Sequence, residues 1–351
     1  MQFHQKLGSM LDKVKRNGNI ATLIAGEIGF NNINDLERAN TLSKCDLLTE
    51  MVKEFDELQG IMGMHYALKQ GEKEEVAKAI YEHYLPKTAD DELPQTDIGS
   101  ILALSDKLDT VISFLSIGEK PKGASDPFAV RRAAIGIVRI LVEKGIDIDL
   151  KKLLKEIEKN AKKSEILAFA KINSNWETPF DENVIPEVLE FIKGRFISYM
   201  KDKGYSTDII NAVVSTDDYS LYNLYLKIKT IQQFKKSEDF NDVMTVFKRV
   251  GKIIPEKFES SFNQTLLGKD EEKQLYKQYL TTKENFENDI KNKDYKKALE
   301  SLLKLKPYID EFFDNVMVMV KDENIKNNRL SLLKMINDTF KKIADFTKIT
   351  T

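Results

Sequence analysis

Apolar residues recur along most of this chain at intervals of three and four positions, the spacing that places them on one face of a helix. The two-residue alternation of half-buried strands hardly occurs. Only 8 prolines and 16 glycines interrupt the pattern in 351 residues. The pattern predicts an all-α protein.

Breaks in this pattern suggest how the chain is organised. Two groups of helix-breaking residues, "YLPKTADDELP" and "IGEKPKGASDP", divide the first 150 residues into helices joined by structured turns. The lysine- and glutamate-rich "KKLLKEIEKNAKKSEILAFAK" predicts a solvated helix, and the polar stretch from Ile172 to Pro186 predicts a connection. We predict a helical domain over 1–150, a helical connector over 151–235 and a helical bundle over 236–351.

Three arginines interrupt the otherwise apolar segment "SDPFAVRRAAIGIVRIL". Asp126 followed by Pro127 predicts that a helix begins there, as an N-cap and first helical residue. Arg132 and Arg139 are two turns apart and share a stripe, whereas Arg131 points about 100° away. Their partners are either carboxylates inside the fold or phosphates. We expect Arg132 to be paired internally and Arg131 to face solvent.

Composition limits the function classes. A chain of 351 residues exceeds one usual core, so two or three domains are expected. Its 54 basic and 56 acidic residues give a net charge of −2, so binding to nucleic acid must come from local patches. The single cysteine, Cys45, excludes an internal disulfide and a cysteine-rich zinc site. With no leader and no apolar run of membrane length, we expect a cytoplasmic protein.

The sequence shows no recognisable active site. Its three histidines, His4, His65 and His83, lack the helical spacing of a zinc hydrolase. Neither a phosphate-binding glycine loop nor a dinucleotide-binding fingerprint occurs, and no serine or cysteine nucleophile lies in a known motif. We therefore expect this chain to have no catalytic residues of its own.

Several long motifs carry a family resemblance. In the first 141 residues they are "KLGSMLDKVKR", "KCDLLTEMVKEFDELQGIMGMHYA", "VAKAIYEHYLP" and "SDPFAVRRAAIGIVRIL". Later come "DVMTVFKRVGKII" and "FFDNVMVMVKDENIKNNRLSLLKMINDTFKKIADFTKI". In order and spacing the motifs resemble the β subunit of the two-subunit glycyl-tRNA synthetase, the later ones its anticodon-binding region, while 151–237 matches least well. Because that subunit is much longer, the resemblance implies a C-terminal portion in which Met1 is not the natural start.

The resemblance also implies a function. In this family the separate α subunit activates glycine with ATP and magnesium, β supplies much of the tRNA recognition, and both are needed for charging. The expected complex is a heterotetramer of two α and two β subunits. The resemblance then implies that this chain is the tRNA-recognition portion of a glycine-tRNA ligase. Its expected partners are the tRNA for glycine and the α subunit, and no membrane partner is expected. We expect it to bind no cofactor of its own and to have no activity alone.

The N-terminal domain resembles the HD phosphohydrolases, whose metal is held by a histidine, a His-Asp pair and a later aspartate. Here Cys45-Asp46 takes the place of the pair, and Asp106 in "ALSDKLD" matches the later aspartate. Without histidines the site lacks its nitrogen ligands. We therefore expect no metal and interpret Asp46 and Asp106 as structural acids. The alternative function, a stand-alone HD-type phosphohydrolase acting on nucleotides, is disfavoured by the missing histidine.

Given the resemblance, basic and amide side chains are the candidates for tRNA contact, because lysine and arginine bind phosphates and asparagine can pair with a base edge. The candidates are Lys122, Arg131, Lys248, Arg249, Lys252, Lys326, Asn328 and Arg329. For "KNNR" an alternative stays open, in which Arg329 holds the bundle together. The stripe "FFDNVMVM" is interpreted as packing, since methionine often fills gaps in cores.

Overall fold

The computed structural model describes residues 1–121, 123, 125–163, 183–238 and 240–350. The chain divides into two units. Unit 1 comprises Met1–Tyr199 with Tyr219–Tyr222, and unit 2 comprises Met200–Asp218 with Asn223–Thr351. The three-part division made from the sequence, with boundaries at 150 and 235, stays a prediction.

The first half of the chain forms a small hairpin followed by helices. The elements are β1 (Gln2–His4), β2 (Gly8–Ser9), α1 (Met10–Ile28), α2 (Ile33–Leu42), α3 (Glu50–Glu54), α4 (Ile61–Lys69), α5 (Glu74–Glu82), α6 (Asp97–Ser116), α7 (Val130–Glu143), α8 (Leu150–Lys163) and α9 (Val184–Asp202). Short 3-10 turns at Cys45–Leu48 and Asp56–Leu58 flank α3. β1 and β2 pair antiparallel and are the only strands among the described residues. The predicted all-α fold is confirmed.

Helix α6 forms the centre of unit 1, where it packs against α1, α5 and α7. It is buried on nearly every turn, as expected for a helix that is apolar on all sides. Its start is fixed by Thr96, whose hydroxyl accepts a hydrogen bond from the Gly99 N–H. Two acidic residues on α6, Asp106 and Asp109, are consequently enclosed by neighbouring helices.

Helix α1 has well-defined ends. The Ser9 hydroxyl accepts the Asp12 N–H, and the Asp12 carboxylate accepts the Ser9 N–H at 2.8 Å, which together form a capping box. The helix ends at Gly29, whose φ of 71° lies in the left-handed region that glycine adopts at low cost. Between these ends, α1 turns Lys13 and Arg16 toward Asp109 of α6.

Helix α7 begins later than the sequence predicts. Its first residue is Val130, not the Asp126-Pro127 pair, because Asp126–Ala129 forms a turn in which Ala129 has a φ of 56°. The Asp126 carboxylate still caps the helix, accepting the backbone N–H groups of Arg131 and Arg132 at 3.2 and 3.3 Å. Asp126 therefore supplies the capping carboxylate, as predicted, but the N-cap position is Ala129 and the start of the helix was placed too early.

The remaining helices lie mostly in unit 2. They are α10 (Thr207–Val214), α11 (Leu221–Phe234), α12 (Phe240–Ile253), α13 (Asp270–Lys291), α14 (Tyr295–Leu303), α15 (Lys306–Asn315) and α16 (Glu323–Lys341), with 3-10 turns at Gln264–Leu266 and Phe346–Lys348. The first two residues of α11 belong to unit 1. α13 packs against α14, α15 and α16, and α12 packs against α15 and α16. No helix in the described ranges is both long and apolar enough to cross a membrane.

The orientation of α12 is set by its apolar face. The Phe247 ring lies 4.1 Å from that of Phe340 and 4.9 Å from that of Phe346, measured between centroids. At Gly251 the backbone approaches so closely that an added Cβ would lie 2.7 Å from Thr347 Cγ2. A helix seated this tightly presents a defined opposite face to solvent.

Candidate nucleic-acid interface

The outward face of α12 carries the basic residues that the sequence singled out. Lys248 is half-buried, whereas Arg249 and Lys252 are exposed and lie three positions apart, on the same face. The Arg249 guanidinium lies over the Phe313 ring of α15, 4.2 Å from its centroid. This contact holds the guanidinium plane in place, because arginine stacks on aromatic rings. The arrangement suits phosphate contact by Lys252 and stacking or phosphate contact by Arg249.

The loop after α15 departs from the packing role predicted for "FFDNVMVM". Val316 and Val318 are buried, but Met317 and Met319 between them are 72% and 53% exposed. Only half of the stripe is core, so the prediction was wrong for the methionines. Hydrophobicity carried no signal for this division, since "VMVM" is apolar at every position and shows no alternation of apolar and polar residues. The two methionines are a surface feature that sequence reasoning missed.

Arg329 and Asn328 lie inside the bundle, which corrects their assignment as tRNA contacts. Arg329 Nε donates to Glu272 Oε1 at 2.5 Å, and its Nη1 donates to the Met317 carbonyl at 2.9 Å. The Asn328 Oδ1 accepts the Asn263 N–H at 2.7 Å. Both residues are buried, so their polar groups are committed to the fold. The geometry supports the alternative left open above, in which Arg329 holds the bundle together.

Lys326 occupies an intermediate position. It is half-buried in the first turn of α16, where its Nζ lies 2.7 Å from Glu323 Oε1. Such a pair three residues apart on a helix contributes only a few tenths of a kilocalorie, about 0.2–0.5 kcal/mol. The contact can therefore be exchanged at little cost, and Lys326 stays a predicted tRNA contact.

The arginines of α7 do not occupy the positions expected for them. Arg132 is 58% exposed and lies 3.8 Å from Asp126, so the expectation that it is paired inside the core was wrong. The enclosed arginine is Arg139, which donates to Glu143 at 2.7 Å and to the Asp91 carbonyl at 2.7 Å. Arg132 lies in the first turn of α7, whereas Arg139 lies in the part that packs against the core.

Two further candidates complete the set in unit 1. The Arg131 side chain is half-buried, so it is less open to solvent than that of Arg132. Lys122 lies outside the described residues. Any contact with tRNA by either residue stays a prediction.

The two aspartates matched to the HD pattern both lie in the interior of unit 1. Asp106 Oδ1 accepts a hydrogen bond from Asn17 at 2.9 Å and lies 3.4 Å from Lys13 Nζ and 3.2 Å from Lys44 Nζ. Asp46 Oδ2 accepts the Gly60 N–H at 2.6 Å. Both lysines are buried, so two ammonium groups surround the Asp106 carboxylate.

This charge arrangement sets the protonation of the cluster. Burial would raise the pKa of Asp106, but Lys13 and Lys44 hold it well below its ordinary value, so the carboxylate is ionised. Burial, followed by the charge of Lys44, keeps the pKa of His83 well below its ordinary value, so its imidazole is neutral. Burial also lowers the pKa of Lys107 to about 7.

A divalent metal does not fit this site. Lys44 Nζ lies 3.2 Å from the Asp106 carboxylate and 4.0 Å from the centroid of the Tyr84 ring, so an ammonium already neutralises the acid. A metal ion beside it would meet like-charge repulsion from the Lys44 ammonium. Among the described residues no group of three or more His, Cys, Asp or Glu is placed to hold a metal. In this geometry Asp46 binds a backbone N–H and Asp106 is paired with lysines, and their assignment as structural acids stays a prediction.

Sequence reasoning missed the buried lysines that produce this outcome. Lys13, Lys44 and Lys107 are all buried, although lysine is almost never enclosed without a partner. Lys107 donates to the Leu85 carbonyl at 2.7 Å, and its chain fills the space beside Gly136. The available signal was the position of Lys107 in "LALSDKLDTVISFL", a helix whose apolar residues recur on most of its sides and so predict burial.

Two family models match this chain, one over its first part and one over its last part. The family model "Glycyl-tRNA synthetase beta subunit" matches residues 1–215, and "DALR anticodon binding domain" matches residues 243–351. The second match covers most of α12 and the helices that follow it, including Arg249, Lys252 and the two exposed methionines.

Several curated proteins that are similar to this chain are named glycine-tRNA ligase beta subunit. That of Persephonella marina is 68% identical over 351 residues, which is all of this chain and 50% of the relative. That of Sulfurihydrogenibium sp. is 55% identical over 99% of this chain and 47% of the relative, and that of Aliivibrio fischeri is 40% identical over 98% and 48%. The chain thus spans about half the length of the curated relatives it matches. With more than half of its residues matched by the family model, the chain belongs to the glycyl-tRNA synthetase beta subunit family.

Proposed function

We propose that this chain is the tRNA-recognition portion of a glycine-tRNA ligase β subunit and that it binds the tRNA for glycine. The observation that carries this proposal is the outward basic face of α12, where Arg249 and Lys252 are exposed within the region matched by an anticodon-binding family. Lysine and arginine supply the phosphate contacts that dominate affinity for nucleic acid. An anticodon loop offers unpaired bases for the remaining contacts.

The proposal also assigns the attachment of glycine to tRNA to a complex with the α subunit. With the α subunit, in a complex of two α and two β subunits, this chain supports attachment of glycine to its tRNA in the cytoplasm. ATP and magnesium are expected at the α subunit, because no nucleotide-binding motif occurs in this sequence. The chain alone is then expected neither to form glycyl-adenylate nor to charge tRNA.

The phosphohydrolase alternative finds no support in the geometry. Its metal would have to bind Asp106, whose carboxylate is already neutralised by the ammonium groups of Lys13 and Lys44. Hydrolysis of a nucleotide would also need an accessible carboxylate pair, whereas Asp46 is buried.

A binding titration tests the proposal. The 351-residue chain is titrated with the tRNA for glycine and with a tRNA for another amino acid over a range of salt concentrations. We expect tighter binding to the tRNA for glycine and an affinity that falls steeply with salt, because counterions are released from the phosphates. Equal and weak binding of both tRNAs would contradict the proposal.

A further inference from the structure

We infer that Met317 and Met319, together with the exposed face of Arg249, form a platform that contacts unpaired bases of the anticodon loop. This inference rests on the proposed function, since it names the contacts by which unit 2 would bind tRNA. We call this surface the methionine platform. Its occupant is a single-stranded RNA loop, whose bases and not its phosphates contact the methionines.

The platform is held rigidly from beneath. Val316 and Val318 are buried on either side of Met317, which anchors the loop in the bundle. Arg329 Nη1 donates to the Met317 carbonyl at 2.9 Å, and Lys269 Nζ donates to the Asn315 carbonyl at 2.5 Å. A loop fixed at four successive positions presents its methionines without a large entropic cost on binding.

The stacking partner comes from α12. One face of the Arg249 guanidinium covers Phe313, the last aromatic residue before the loop, and the residue is otherwise exposed. Unpaired RNA bases stack on arginine planes and aromatic rings. Methionine adds a polarisable sulfur that makes favourable contacts with aromatic rings, and a base presents such a ring.

The surface has an apolar part and a cationic part. Exposed residues of both charges border the loop, including Asp314 and Lys321, so charge alone does not assign its ligand. The apolar side chains of Met317 and Met319 offer a phosphate no hydrogen-bond donor, but they can pack against a neutral base. On α12, Lys252 and the N–H edge of the Arg249 guanidinium can bind phosphates while the open face of that guanidinium stacks on a base, so we assign the backbone to these donors and the bases to the methionines and the Arg249 plane. This separation agrees with the general division in which phosphate contacts position a nucleic acid and base contacts specify it.

Methionine oxidation provides a direct readout in the unaltered chain. Exposed methionines are oxidised by peroxide to sulfoxides, and a bound ligand slows that reaction. We expect an anticodon stem-loop of the tRNA for glycine to slow oxidation of Met317 and Met319 severalfold, measured by peptide mass spectrometry. Met51, which is 41% exposed and lies in unit 1, is the internal control and should react at an unchanged rate. An acceptor-stem duplex should protect none of the three.

Substitutions supply the second measurement. The double variant Met317→Ser/Met319→Ser should weaken stem-loop binding about three- to tenfold, as the strength of sulfur–ring contacts implies. The salt dependence should not change, because no charge is lost. Arg249→Lys keeps the charge but loses the planar surface, so it should also weaken binding at unchanged salt dependence. Met51→Ser is the matched control and should bind as the parent does.

The outcomes separate the two proposals. If the unaltered chain binds neither tRNA nor the stem-loop, the proposed function fails and the methionine platform fails with it. If the chain binds but both methionines oxidise at the same rate and the variants bind normally, the platform is refuted while the proposed function stands. Protection by the acceptor-stem duplex, or by the α subunit instead of RNA, would equally refute an anticodon-loop contact.

Discussion

The buried pair formed by Arg329 and Glu272 gives the strongest stability prediction. Arg329→Met removes the hydrogen bonds to Glu272 at 2.5 Å and to the Met317 carbonyl at 2.9 Å. Glu272 is only 1% exposed, so its charge would stay buried without a cation. Removing one partner of such a pair costs about 3–5 kcal/mol. Because the Gly268 and Lys269 N–H groups still bind the other carboxylate oxygen, we expect a loss of about 3 kcal/mol in the free energy of unfolding.

Thermal unfolding followed by circular dichroism measures this loss. For a unit of this size, about 3 kcal/mol corresponds to a decrease in Tm of about 6–12 °C. The double variant Arg329→Met/Glu272→Gln should recover part of it, because the amide still accepts the backbone N–H groups but leaves no buried charge. If Arg329→Met unfolds like the parent and instead lowers the salt dependence of tRNA binding by one charge, Arg329 contacts RNA and our interpretation fails.

Three further predictions concern unit 1. Lys44→Met should lower Tm by several degrees because it removes a cation from Asp106, whereas chelator or added zinc should leave the Tm of the parent unchanged. Lys107 has a pKa of about 7 when folded and about 10.4 when unfolded, so the unfolded chain binds more protons between these values. Stability from this group therefore rises as the pH increases from 7 toward 10, and urea unfolding of Lys107→Met should lack that rise. Arg132→Ala should change Tm little, while Arg139→Ala should lower it clearly; the opposite order would refute the exposures described above.

Local chemistry predicted much of the fold. The period of the apolar residues identified an all-α chain, and Asp126 was recognised as a capping residue. The first residue of α7 was not predictable in the same way, because a carboxylate can cap from several positions upstream when a turn intervenes. Ala129 adopts a left-handed conformation there, which its residue type does not favour.

The partners of charged residues were the least predictable feature. Arg132 and Arg139 share a helical stripe, and the sequence alone could not show that the core reaches only Arg139. The same limit applies to Arg329, whose partner Glu272 lies 57 residues earlier in the chain. Which charges become buried depends on tertiary packing, and a single sequence does not record the contacts between distant segments.

The salt dependence of tRNA binding tests the central claim most directly, namely that the outward face of α12 contacts tRNA phosphates. The 351-residue chain, the variant Arg249→Ala/Lys252→Ala and the control Lys283→Ala/Lys296→Ala are titrated with the tRNA for glycine by fluorescence anisotropy. The control removes the same charge from exposed lysines of α13 and α14. We predict that the α12 variant binds more weakly and that the slope of log affinity against log salt falls by about two, while the control matches the parent. An unchanged slope in the α12 variant, or an equal change in the control, would contradict the account.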